Sequence, residues 1–120
     1  MPVGATIPKL IVVDDDQEVR SIVADFLADA GYRVLQAADG AQALGLIADD
    51  PSLRMMISDI RMPKMSGLEL AEEAVRLRPK LRVILIPGFT DYQITKWPLL
   101  MKPFRRSRLC GLVASEMRQT

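Results

Sequence analysis

Asp14, Asp15, Asp59 and Lys102 are the residues whose types and placement could do chemistry. Asp14, Asp15 and Asp16 follow an apolar run at residues 9–13 (KLIVV), Asp59 closes a run at residues 55–58 (MMIS), and Lys102 follows residues 99–101 (LLM). An apolar run that stops at a polar group is the pattern of a buried strand delivering that group to the end of a sheet. If the first and third runs are neighbouring strands, their carboxylates meet in one pocket. Like charges at close range oppose one another's ionisation, and a hard divalent cation relieves them. Magnesium takes oxygen ligands, uses one or two carboxylates, and completes its shell with water and phosphate. The Lys102 ammonium could bind phosphoryl oxygens. The chemistry these groups suit is attack of the Asp59 carboxylate on phosphorus, giving an aspartyl phosphate. Metal and lysine would oppose the charge developing on the transferred group.

Each group also has a plainer role. Consecutive acids before a helix commonly cap it and answer its dipole. A strand-end aspartate often forms a turn, and Lys-Pro often marks a loop. The joint placement after the first, third and fifth apolar runs favours a site. Arg105, Arg106 and Arg108 read as a solvated helix start, and Cys110 as a small helix residue.

The elements that must position these groups follow from periodicity. Residues 9–13, 32–37, 55–59, 81–86 and 99–101 read as five short strands. Val19, Ile22, Val23, Phe26, Leu27 and Ala30 recur at helical spacing before Gly31. Ala41, Leu44, Ile47 and Ala48 mark a second helix, and Leu68, Ala71, Val75 and Leu77 a third, which Ser66 could cap. Leu109, Leu112, Val113 and Met117 mark a closing helix. Strands alternating with helices imply a doubly wound parallel sheet with helices on both faces. Twelve residues separate Ile86 from Leu99, with Pro87, Gly88 and Pro98 among them. A full helix barely fits, so a shortened fourth helix is expected within residues 90–96. Residues 1–8, with two prolines and a glycine, read as a loose lead-in to a single domain spanning 1–120.

Sixteen basic against fifteen acidic residues give a net charge of +1, which argues against nucleic acid or membrane as the main partner. No apolar run approaches the ~20 residues of a bilayer span, and no signal-peptide pattern opens the chain. A single cysteine fits a reducing cytoplasm. The count of zero histidines excludes more. Ser-His-Asp and Cys-His mechanisms and histidine-ligated metals are impossible within this chain.

With VVDDD at residues 12–16, SDIRMPKMSG at 58–67 and MKPF at 101–104, the chain resembles the receiver domain of bacterial two-component response regulators over nearly its whole length. The resemblance implies a flavodoxin-like five-stranded sheet of order 2-1-3-4-5, for which a receiver is itself a standard example. It implies that Asp59 accepts a phosphoryl group from a histidine kinase or histidine phosphotransfer protein. Asp15 would bind Mg2+ directly, Asp14 through water or as part of the acid pocket, and the backbone carbonyl of Arg61 would be a further ligand. Lys102 would contact the phosphoryl group, and Lys102-Pro103 would be a cis peptide.

Two positions depart from the family pattern. Pro87 stands where receivers usually carry a phosphate-binding Thr or Ser, and proline has neither hydroxyl nor backbone N–H. Leu99 stands where they usually carry an aromatic switch residue, with Trp97 out of register. The shortened segment between strands four and five is similar to receivers attached to hybrid sensor kinases. The expected function is phosphoacceptance with an altered output. An alternative is a pseudo-receiver, a pure interaction module, which Pro87 favours and the retained Asp14, Asp15, Asp59 and Lys102 oppose. A third reading, a haloacid-dehalogenase-type phosphatase built on the Asp-x-Asp of residues 14–16, meets Glu18 where those enzymes place Thr or Val.

Overall fold

The computed structural model describes residues 7–88 and 96–118. Strands β1 (Lys9–Val13), β2 (Arg33–Ala37), β3 (Leu53–Asp59) and β4 (Arg82–Ile86) alternate with helices α1 (Gln17–Asp29), α2 (Gly40–Asp49) and α3 (Gly67–Leu77), and α4 (Arg106–Met117) closes the chain. The sheet is parallel throughout, in the order β2-β1-β3-β4.

Alternate residues of each strand feed two cores. Ile11, Val13, Met56, Val83 and Leu85 pack under α2 and α3, while Leu10, Val12, Met55, Ile57, Ile84 and Ile86 pack under α1 and α4. Both faces of the central strands are therefore covered, which explains why they read as unbroken apolar runs. Capping fixes where the helices begin. Asp16 accepts from the N–H groups of Glu18 and Val19, Asp39 from Gln42, and Ser66 forms a reciprocal capping box with Glu69.

The pairing of β1 with β3 carries one irregularity: Lys9 aligns with Leu53, but Leu10 aligns with Met55. Arg54 is thus an extra residue on β3, as in a bulge. From there the register runs evenly to Val13 opposite Ser58.

The expected fifth strand at residues 99–101 is a correction. Among the described residues the sheet has four strands, and the fifth segment adds one parallel bridge, Leu99 to Leu85. That bridge is made by Leu85 N–H donating to Pro98 O at 3.0 Å and Leu100 N–H donating to Leu85 O at 2.8 Å. The next rung in one direction needs a donor at Pro87, and the next in the other needs a donor at Pro98. Neither proline has one. The short fourth helix expected within residues 90–96 lies, except for Lys96, outside the described residues.

Five residues expected on the apolar helix faces are exposed: Ile22, Ala30, Ala41, Ala48 and Leu77. In α3 the buried positions are Gly67, Leu70, Ala71 and Ala74, so the expected face is out of phase by about one residue. Cys110 is half-buried against Phe26 O, in keeping with a small helix residue.

A carboxylate pocket at the carboxyl edge of the sheet

β1 and β3 end side by side: Val13 aligns with Ser58, so Asp14 follows β1 next to Asp59, the last residue of β3. Asp14 and Asp59 are buried and Asp15 is exposed. Carboxylate oxygens of all three lie within 4.8 Å of one another. The third member of the DDD run has a different role: Asp16 caps α1 and donates its own N–H to Asp14 Oδ1 at 2.9 Å.

Lys102 reaches the pocket from beyond the Leu99 bridge. Its Nζ lies 3.5 Å from Asp59 Oδ1, an ion pair rather than a tight hydrogen bond. The peptide bond Lys102–Pro103 is cis. Burial raises the Asp59 carboxyl to about 6, with Lys102 pulling it down and Asp14 pushing it up. Burial likewise raises Asp14, against the Asp16 N–H and the Lys102 charge, which lower it. The pocket thus holds carboxylates whose ionisation is opposed, the condition that a cation relieves.

The donor set fits magnesium. It is all hard oxygen. An octahedral ion with oxygens at ~2.1 Å holds them ~3 to ~4 Å apart, and one oxygen from each of the three carboxylates already lies within 4.8 Å of the others.

The loop after Asp59 is held from behind. Ile60 N–H donates to Ile86 O at 3.0 Å, and Gly67 N–H donates to Ile60 O at 2.8 Å. A Cβ on Gly67 would collide with the backbone oxygen of Asp59 and would sit 2.9 Å from Ile60 Cα, so only glycine allows this approach. Ser58 Oγ donates to Asp59 O at 2.9 Å. Arg61 lies two residues past Asp59 at an exposed position of the same loop.

Pro87 is buried and directly follows Ile86, the β4 residue aligned with Asp59. Leu99 and Trp97 are half-buried and pack against the α2–α3 core. Sequence reasoning missed Arg20. Its Nη1 donates to Asp14 O at 2.7 Å and its Nε to Gln36 Oε1 at 3.2 Å, tying the acid loop to β2. An arginine in the second turn of an amphipathic helix carries no signal of such a contact.

The family profile of the response regulator receiver domain matches residues 10–114. Among curated proteins, the response regulator receiver protein CpdR of Brucella abortus is 33% identical over 81 residues, 68% of this chain and 67% of that protein. The C4-dicarboxylate transport transcriptional regulatory protein DctD of Rhizobium meliloti is 36% identical over 110 residues, 85% of this chain but 24% of that protein. The chain therefore spans about a quarter of DctD. Among solved structures, the receiver domain of the hybrid histidine kinase CckA superposes with a TM-score of 0.82 at 31% identity, covering 92% of this chain and 99% of that one. Proteins of this kind are signalling components rather than metabolic enzymes; they act with histidine kinases and generally bind Mg2+ at an aspartate cluster. Among the described residues no helix is long and apolar enough to cross a membrane. With the matched profile spanning both the carboxylate pocket and Lys102, the chain belongs to the response regulator receiver domain family.

Proposed function

We propose that this chain, as one receiver domain over residues 1–120, takes a phosphoryl group onto Asp59 from a phosphohistidine of a histidine kinase or histidine phosphotransfer protein in the cytoplasm. The observation that carries this reading is the set of three carboxylates within 4.8 Å, with Lys102 at 3.5 Å from Asp59. An Asp59 carboxylate oxygen forms the new bond to phosphorus as the phosphorus–nitrogen bond of the donor breaks, and the imidazole leaves with that electron pair. The chain has no histidine, so the imidazole comes from the partner. Lys102 orients the phosphoryl oxygens by charge. Asp14, Asp15, Asp59 and the Arg61 backbone carbonyl would hold Mg2+, which when bound supplies positive charge against phosphoryl oxygens. The domain promotes its own phosphorylation and hydrolysis and turns over no metabolite. The likeness to the CckA receiver supports an origin among hybrid-kinase receivers or stand-alone regulators.

The test is labelling by a small acyl phosphate in the presence of Mg2+, read by intact mass. One phosphoryl group should be gained by the wild type and none by Asp59→Ala. Equal labelling of the variant overturns the assignment.

A second reading, a phosphorylation-independent interaction module, rests on Pro87 and on the single bridge at Leu99. Beryllofluoride separates the two readings. Amide NMR shifts spreading from Asp59 to residues 97–100 indicate a switch, whereas a response confined to the carboxylate pocket indicates a phosphate sink. No response anywhere indicates the interaction module.

A further inference from the structure

At the edge of the sheet opposite Asp59, the starts of β3 and β4, the turns before them and Met117 of α4 enclose a cavity of about 510 Å³. Its wall carries Arg54, Arg78, Lys80 and Arg82 and, among the described residues, no carboxylate. In a chain with net charge +1 that is a marked local excess. The acid next to the wall, Asp50, is already engaged by Lys9 Nζ at 2.8 Å and by Ser52. Arg78 is built into the wall: its guanidinium donates to the carbonyls of Asp50, Pro51 and Leu53 at 3.0, 2.6 and 3.0 Å. Arg54 and Lys80 are exposed and make no ion pair among the described residues. The rest of the wall is apolar, from Leu53, Leu81, Met117 and two prolines.

We infer that this cleft is a binding site for an organic phosphate, with phosphoryl oxygens on Arg54 and Lys80 and the carbon portion against Leu81 and Met117. The size is that of a small-molecule pocket. Cations grouped in a concave, partly apolar wall reinforce one another's field and concentrate anions there. The guanidinium fork matches phosphoryl oxygens. A multiply charged phosphate answers two cations at once, which a monocarboxylate cannot. The site shares no residue with the carboxylate pocket, so the two can be tested separately.

The experiment is calorimetric titration of the full chain with ATP in EDTA, alongside inorganic pyrophosphate, with amide NMR mapping. Removing divalent ions keeps the Asp59 pocket from contributing. Saturable one-to-one ATP binding is expected, with shifts at residues 51–54, 78–82 and 117. Arg54→Ala with Lys80→Ala should weaken it at least tenfold, while Asp59→Asn leaves it unchanged. Both substituted side chains are exposed, so an unchanged melting temperature is expected to verify the fold. ATP should bind more tightly than pyrophosphate. Absence of saturable ATP binding at millimolar concentration, undiminished binding by the double variant, or loss of binding in Asp59→Asn overturns the proposal. Pyrophosphate binding as tight as ATP overturns the assignment of an organic ligand.

Discussion

The two flanks of Asp59 are built differently. Toward β1, five aligned residue pairs lead up to Asp14 and Asp59, and buried side chains pack behind them. Toward the far edge, β4 pairs with β3 over five positions, but the next segment contributes the single pair Leu85–Leu99. The near flank places the carboxylates. The far flank holds Pro87 and Leu99, the two positions expected to depart from the family pattern. The comparison separates two requirements that a receiver normally meets together. Under the proposed function, forming an aspartyl phosphate draws on β1, β3 and one lysine, and reporting it draws on the far edge. The near flank brings its carboxylates together, whereas the pairing of the far edge is cut short by two missing N–H donors.

The strongest challenge to that division is on the near flank. Asp59→Asn should abolish labelling by an acyl phosphate altogether, measured by intact mass. Lys102→Ala should slow labelling by ~100-fold, the order of effect expected when one charge facing a developing anion is lost. If its labelling rate matched wild type, Lys102 would belong with the far flank rather than the chemistry. Gly67→Ala should destabilise the protein by ~2 kcal/mol or more in urea titrations, because the added Cβ drives into the Asp59 backbone.

A pH series sharpens the same flank. The Asp59 carboxyl stands at about 6 in the fold against an ordinary 3.8, so the folded state holds this proton more tightly than the unfolded chain. Metal-free stability from this group is therefore greatest below about pH 4 and falls as pH rises through 6, by about 3 kcal/mol. Asp14 shifts in the same direction. Asp59→Asn should flatten the profile, and Mg2+ should raise the wild-type melting temperature at pH 7 more than at pH 5. The smallest effect is expected on the far flank. Pro87→Thr restores an N–H facing Leu100 O, and one added rung should contribute about 1 kcal/mol. Hydrogen exchange should show protection of the new amide; an unprotected amide would mean that Pro87 does not limit the edge.

Much of this was legible in the sequence. Acids at the ends of apolar runs gave the strands, their common edge and the members of the carboxylate pocket. Other features depend on geometry that residue types do not encode. Three consecutive aspartates look alike, and only the start of α1 separates Asp16, a cap, from Asp14 and Asp15. The segment at 99–101 has strand composition, yet its pairing length turns on which rungs fall at Pro87 and Pro98. The α3 face was misplaced because Leu68 looked like its start, while the helix buries from Gly67. Arg20 and Arg78 act on distant carbonyls through long side chains, contacts that exist only once the fold is made.

The extra residue at Arg54 has a consequence that concerns counting rather than contact. Lys9 faces Leu53, and without the irregularity the same stepwise count would set Asp14 beside Ser58 and carry Asp59 one position too far. Side chains alternate along a strand, so that offset would also turn Asp59 toward the opposite face. Arg54 is the residue that the irregularity absorbs, so a one-codon deletion there would still leave Leu10 opposite Met55 and Val13 opposite Ser58. What places the acceptor is the point at which one residue is left out of the pairing, not the number of residues in the strand.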